Sequence, residues 1–341
     1  AVTAGTGAVL GIKNVGGIIG GIAFTSTSAD EINIYENSAD ATLTGGTGSS
    51  TQNPTNLGGV IGGIELTGNI TASIIANAFT GTVTELTANA LTNVGGIVGA
   101  VTAGTGASTV DIVKNVSSSI FSGFTFASAG SILGRGIIAS AGASVTMTLN
   151  LTDNLGDLNL SIYSGGAVSE VGGVVGSLDL PNGATISMLR CVSTGKVVDN
   201  AKTMSTYGGI IGGIRITETQ TAKNLSITEC YSSARLNTSI ANNTTINGIY
   251  GKFLNQADTK ALDAIANYAN NSYLKQTIFE TNLQTLPLGS EFNEMQFAST
   301  VANLAQTNDY YKGQGFKITA NWNAYGSDAT EENTLYYPIP N

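Results

Sequence analysis

A short glycine motif returns along this chain at nearly constant spacing, and that regularity narrows the folds open to it. Copies begin at Gly16, Gly58, Gly95, Gly130, Gly172, Gly208 and Gly248. The fullest read Gly16-Gly17-Ile18-Ile19-Gly20 and Gly95-Gly96-Ile97-Val98-Gly99, while Gly130-Ser131 and Gly248-Ile249 open looser ones. Subtracting successive starts gives 42, 37, 35, 42, 36 and 40 residues. A repeat of that period signals a solenoid, a propeller or an array. Paired glycines followed by β-branched residues begin a helix poorly and suit a strand where backbones approach closely. A propeller blade would bring four strands and its own signature. One glycine-rich strand per repeat, with connections of varying length, fits a parallel β-helix in which each repeat is one coil.

Each repeat divides into three arms. The first carries the glycine motif, as in Val15 to Ile22. A second alternates apolar and polar residues with the strand period of two, as in Ile32-Asn33-Ile34-Tyr35, Val110-Asp111-Ile112-Val113 and Leu225-Ser226-Ile227. A shorter third arm follows, as in Thr42-Leu43-Thr44, Thr82-Val83-Thr84 and Lys196-Val197-Val198. Three arms predict a roughly triangular section. The corner after the second arm carries Asn37, Asn77, Asn115, Asn150, Cys191, Cys230 and Asn271. Asparagine suits such corners because its short amide bonds local backbone and tolerates left-handed geometry. Stacked coils would let these amides form a ladder. The same alignment places Cys191 and Cys230 in one column of neighbouring coils, which permits a disulfide but favours two buried thiols.

The segment Ala1 to Ala8 is identical to Ala100 to Ala107, so it is expected to stand in for part of a coil, with further chain upstream. Beyond about 252 the texture changes. Leu262, Ile265, Ala266 and Ala269 recur at helical spacing, which predicts a helix over 258–269, and a second is predicted over 291–305. Residues 1–285 are therefore read as a solenoid of about seven coils. Residues 286–341, with Tyr310-Tyr311, Phe316, Trp322 and Tyr336-Tyr337, are read as a small helical and aromatic cap over its last coil.

Composition removes several functions. Net charge is −9, with 14 Lys and Arg spread thinly, which argues against nucleic acid or an anionic membrane as partner. Histidine is absent, and with it the commonest general base and metal ligand. No apolar run is long enough to span a bilayer. No metal or other cofactor is expected.

The run Asn93-Val94-Gly95-Gly96-Ile97-Val98-Gly99, the corner near position 20 of each copy, and Arg190-Cys191-Val192-Ser193-Thr194-Gly195-Lys196-Val197 resemble the GLUG repeat. The order Met295, Phe316, Trp322, Tyr337-Pro338 is similar to the way GLUG-containing chains end. The resemblance implies a right-handed β-helix in a bacterial surface or secreted, adhesin-like protein, and it carries over no catalytic residue. On that basis the chain is expected to be a non-enzymatic scaffold whose loops contact a host glycan or protein. The alternative is a polysaccharide lyase or glycoside hydrolase on the same scaffold, since parallel β-helices host both. Such an enzyme would need acids or an arginine on one face. The nearest candidates are Asp153 with Asp157, Asp30 with Glu31, and Arg190, Arg215 and Arg235. The run Asp153 to Asp157 reads as a polar turn, and no calcium-loop spacing surrounds it.

Overall fold

Between the strands Asn56–Gly58 and Ile61–Ile75 the chain reverses so sharply that a side chain on Gly58 would collide with the carbonyl oxygen of Ile61. The same collision awaits a side chain on Gly16, Gly95, Gly172 and Gly208, against the carbonyl three residues on. That close approach is why glycine recurs there. The computed structural model describes residues 2–3, 13–44, 55–84, 91–139, 145–199, 204–216, 224–232, 235–238 and 245–255. It also describes short strands at 266–269, 271–273, 292–294, 316–319 and 337–340.

The described chain is a parallel β-solenoid of about five turns. Strands leading into the bend stack in register, pairing Gly16 with Gly58, Gly58 with Gly95, Gly95 with Gly130, Gly130 with Gly172 and Gly172 with Gly208. Gly208 then pairs with Asn247, so the degenerate last copy aligns through its second glycine position. The second arms also stack, with Ile32, Ala72, Val110, Leu149, Ile186 and Leu225 in one row. Third arms follow suit, with Thr42, Thr82, Ile120, Asn159, Lys196 and Arg235 in another.

The strands gather into two large parallel sheets rather than three. The triangular expectation treated the first arm as one strand. The glycine bend cuts it in two: Asn14–Gly16 joins the third arms in one sheet, and Ile19–Tyr35 runs on through the second arm in the other. Inward residues form one continuous core. Val60, Ile97, Ile132, Val174, Ile210 and Ile249 succeed one another at the bend with no exposed surface. At the first turn the equivalent Ile18 is 44% exposed, because only one side of it is covered.

Three expectations need correction. Ala266–Ala269, assigned to a helix by its spacing, is a strand paired with Leu225–Thr228, and Phe292–Glu294 is likewise a strand. Pairing with the turn below outweighs local spacing there. The rest of both helix assignments, and most of the cap, lies outside the described residues. Second, Val2 and Thr3 pair with Leu43 and Thr44 in the third-arm row, whereas the identical Val101 pairs with Ile64 beyond the glycine bend. The echo in sequence is not an equivalence in place. Third, Asp157 is not in a turn: the corner ends at Asn154, and Leu155–Gly172 is a strand.

Candidate functional site

The corner after the second arm is built by two residues. One adopts left-handed backbone although it is not glycine: Glu36, Ala76, Lys114, Asp153, Arg190 and Glu229 have φ of 53°, 56°, 56°, 56°, 49° and 55°. Such backbone costs about 1–2 kcal/mol per residue. The residue after it offsets this cost. Asn115 donates its amide to the carbonyls of Ile74 at 2.9 Å and Val113 at 3.1 Å, and to Oδ1 of Asn154 at 3.1 Å. Its own Oδ1 accepts from the backbone N–H of Asn77 at 2.9 Å and from that residue's amide at 3.1 Å. Asn37, Asn77, Asn115 and Asn154 form the expected ladder, and Asn154, not Asn150, is its fourth member. Asn150 sits on the second arm and bonds Asp111 at 2.8 Å.

Cys191 and Cys230 continue the column. Both are buried, and no disulfide joins them. The Cys191 thiol donates to the carbonyl of Leu151 at 3.4 Å, so sulfur takes over part of the amide's role. Burial, then the neighbouring Cys191, pushes the Cys230 thiol well above its ordinary value.

Charges alternate along the left-handed row itself. Arg190 Nε bonds Asp153 at 2.6 Å, and its guanidinium lies 3.9 Å from Glu229. Asp153 is thus engaged in the corner, while Asp157 two turns of the backbone pleat further on is buried among hydroxyls, accepting from Ser118 at 3.3 Å and from Asn159 at 3.4 Å. Burial pushes the Asp157 carboxyl up to about 6, against those hydrogen bonds. The pair named in the sequence is therefore separated into two environments. Asp30 accepts from Ser26 and Ser28, while Glu31 is exposed on the second arm. Arg235 takes its place in the third-arm row.

Arg215 joins a network that sequence reasoning did not find. It bonds Glu170 at 2.6 Å and Asp179 at 3.3 Å, and Asp179 bonds Arg135 at 2.5 Å. Glu170 fills the space that Gly213 leaves by having no side chain. Its row otherwise reads Asn14, Asn56, Asn93, Ser128, Thr206 and Thr245. One carboxylate in a row of neutral polar residues was the available signal, legible only once the register is known. Glu170 Oε2 is buried without a partner, and burial raises its carboxyl despite Arg215. Two arginines and two acids neutralise one another, which suits a structural network as well as a reaction centre.

A different surface is open to large ligands. The outward side chains of the second arm form straight rows, part-exposed between buried neighbours. One row holds Thr71, Thr109, Thr148 and Thr185. The next holds Asn33, Ser73, Asp111, Asn150, Ser187 and Ser226. A third, on the corner side, reads Tyr35, Ile75, Val113, Thr152, Leu189 and Thr228, apolar except at the two threonines. Rows on adjacent turns lie about 4.8 Å apart. Between Thr71 and Ser226 this surface contains a single charge, Asp111.

Among the described residues no group of three or more acidic or cysteine side chains could hold a metal ion, and no helix is long and apolar enough to cross a membrane. Compared with known proteins, the chain matches no family profile, no curated protein and no solved structure.

Proposed function

We propose that this chain is a non-enzymatic, adhesin-like scaffold of the bacterial surface or exterior, binding a host or glycan ligand on its side. The resemblance to the GLUG repeat supports the setting. The observation that carries the binding role is the second-arm surface, where hydroxyls and amides are held in rows by a buried core. Such rows are pre-organised, so ligand binding need not freeze them. Screening the purified protein against immobilised glycans and matrix proteins tests this. Binding to at least one class is the expected result, and silence across the whole panel would leave only a spacer.

The second reading is a carbohydrate-active enzyme, and the observation on its side is the Glu170–Asp179 pair held by Arg135 and Arg215. Incubation with acidic and neutral polysaccharides separates the two. Chain cleavage that disappears in Glu170→Gln would favour the enzyme.

A further inference from the structure

We infer that the ligand is a neutral, extended β-1,4-linked polysaccharide whose chain lies along the stack on the second-arm rows, one sugar per turn. The inference rests on the binding reading above and replaces the loops with this surface as the contact. Three observations point to that occupant. First, the surface repeats every turn at the inter-strand distance of about 4.8 Å, close to the length of one pyranose in an extended chain. In a β-1,4-linked chain successive sugars are turned over about the chain axis, so each sugar spans one turn and equivalent groups return on every second turn, a regularity that a globular protein surface does not match. Second, the rows differ across their width. The threonine row and the serine–asparagine row offer donors and acceptors to sugar hydroxyls, while Ile75, Val113 and Leu189 offer apolar contact to the C–H face of a flat pyranose. Tyr35, 49% exposed at the first turn, adds a ring on which a terminal sugar can stack. Third, these rows carry no cation from Thr71 to Ser226; Asp111 there already accepts from Asn150, and Glu31 adds a carboxylate to the threonine row at the first turn. The nearest cations, Lys114 and Arg190, stand in the corner row at the edge of this surface, and Arg190 is paired with Asp153, so an acidic chain is disfavoured.

The middle row runs through seven described strands, from Asn33 to Asn267. Affinity should therefore grow with ligand length up to about seven sugars and then level off. The probes are β-1,4-linked glucose oligomers of three to nine units, with oligogalacturonate as the acidic control, measured by calorimetry on the full chain. Ser73→Lys and Ser187→Lys change only the middle row, and Thr105→Lys changes an exposed connection beside it. Thermal unfolding confirms that each variant is folded. The expected result is at least about tenfold tighter binding of the hexamer than of the trimer, lost by about tenfold or more in either row variant and kept in Thr105→Lys. Binding lost only in Thr105→Lys overturns the placement but leaves a glycan-binding scaffold. Preference for oligogalacturonate overturns the neutral class. Absence of binding to these oligomers with capture of another ligand on the glycan and protein panel overturns this inference alone, and silence on that panel as well removes the reading beneath it.

Discussion

Replacing Asn115 with alanine removes the centre of the corner ladder. The buried N–H of Asn77 loses its acceptor, Oδ1 of Asn115, at a cost of about 1–3 kcal/mol. The two amide hydrogens of Asn115 lose the carbonyls of Ile74 and Val113 and the Oδ1 of Asn154, and the Asn77 amide loses Oδ1 of Asn115, about 3 kcal/mol in all at about 1 kcal/mol for each N–H. With the Asn77 N–H included, the loss should be about 5 kcal/mol. The column itself supplies a milder change. Asn115→Cys should cost about half as much, because Cys191 and Cys230 occupy the same place two and three turns on and sulfur still donates to local carbonyls. Asn33→Ala, on the exposed surface, should cost less than about 0.5 kcal/mol. Urea unfolding followed by circular dichroism measures all three, read as midpoint shifts at unchanged slope. If Asn115→Ala unfolds with the Asn33→Ala midpoint, the ladder does not hold the corner. If Asn115→Cys costs as much as Asn115→Ala, the thiol is not the amide's substitute.

Other outcomes follow from the same structure. Gly58→Ala should fail to fold or lose more than about 4 kcal/mol, since its Cβ would meet the Ile61 carbonyl. Gly20→Ala, whose Cβ would lie 3.5 Å from the nearest atom, should be near neutral, and soluble yield with melting temperature compares them. Asp157 has a folded value of about 6 against an ordinary 3.8, so the folded state holds the proton more tightly. Its contribution is fully present below about pH 4 and lost as pH rises through about 6, amounting to about 3 kcal/mol. Asp157→Asn should flatten stability between those limits and raise it at neutral pH, as denaturant midpoints across pH would register. Cys191 and Cys230 should resist a thiol reagent in the native protein and both react in unreduced denaturant; one or no reactive group there would mean a bridge.

The stacking was legible because it is written as periodicity. The glycine motif fixes the bend, the alternation of residues such as Val110-Asp111-Ile112-Val113 fixes the second arm, and both recur in every turn. What escaped notice depends on register between turns. Asn150 and Asn154 are both followed by leucine, and only pairing distinguishes the arm residue from the corner residue. The approximate corner alignment still put the two cysteines together because both copies shift alike. Ala266 to Ala269 carries a helical spacing that its partner strand overrides. The Arg135–Asp179–Arg215–Glu170 network joins residues 36 to 45 positions apart, none in a motif of its own. The second-arm rows were visible as alternation, but their uniformity across turns emerges only when the turns are set side by side.

Everything proposed for this chain depends on those rows being straight. Nitroxide labels on Asn33 paired with Asn150, Ser187 or Ser226, in a background lacking both native cysteines, report it through pulsed electron resonance. These pairs lie three, four and five turns apart, so the label distances should centre on about 14, 19 and 24 Å, rising by one strand spacing each time. Broad distributions, or distances that fail to increase in that order, would contradict the stack.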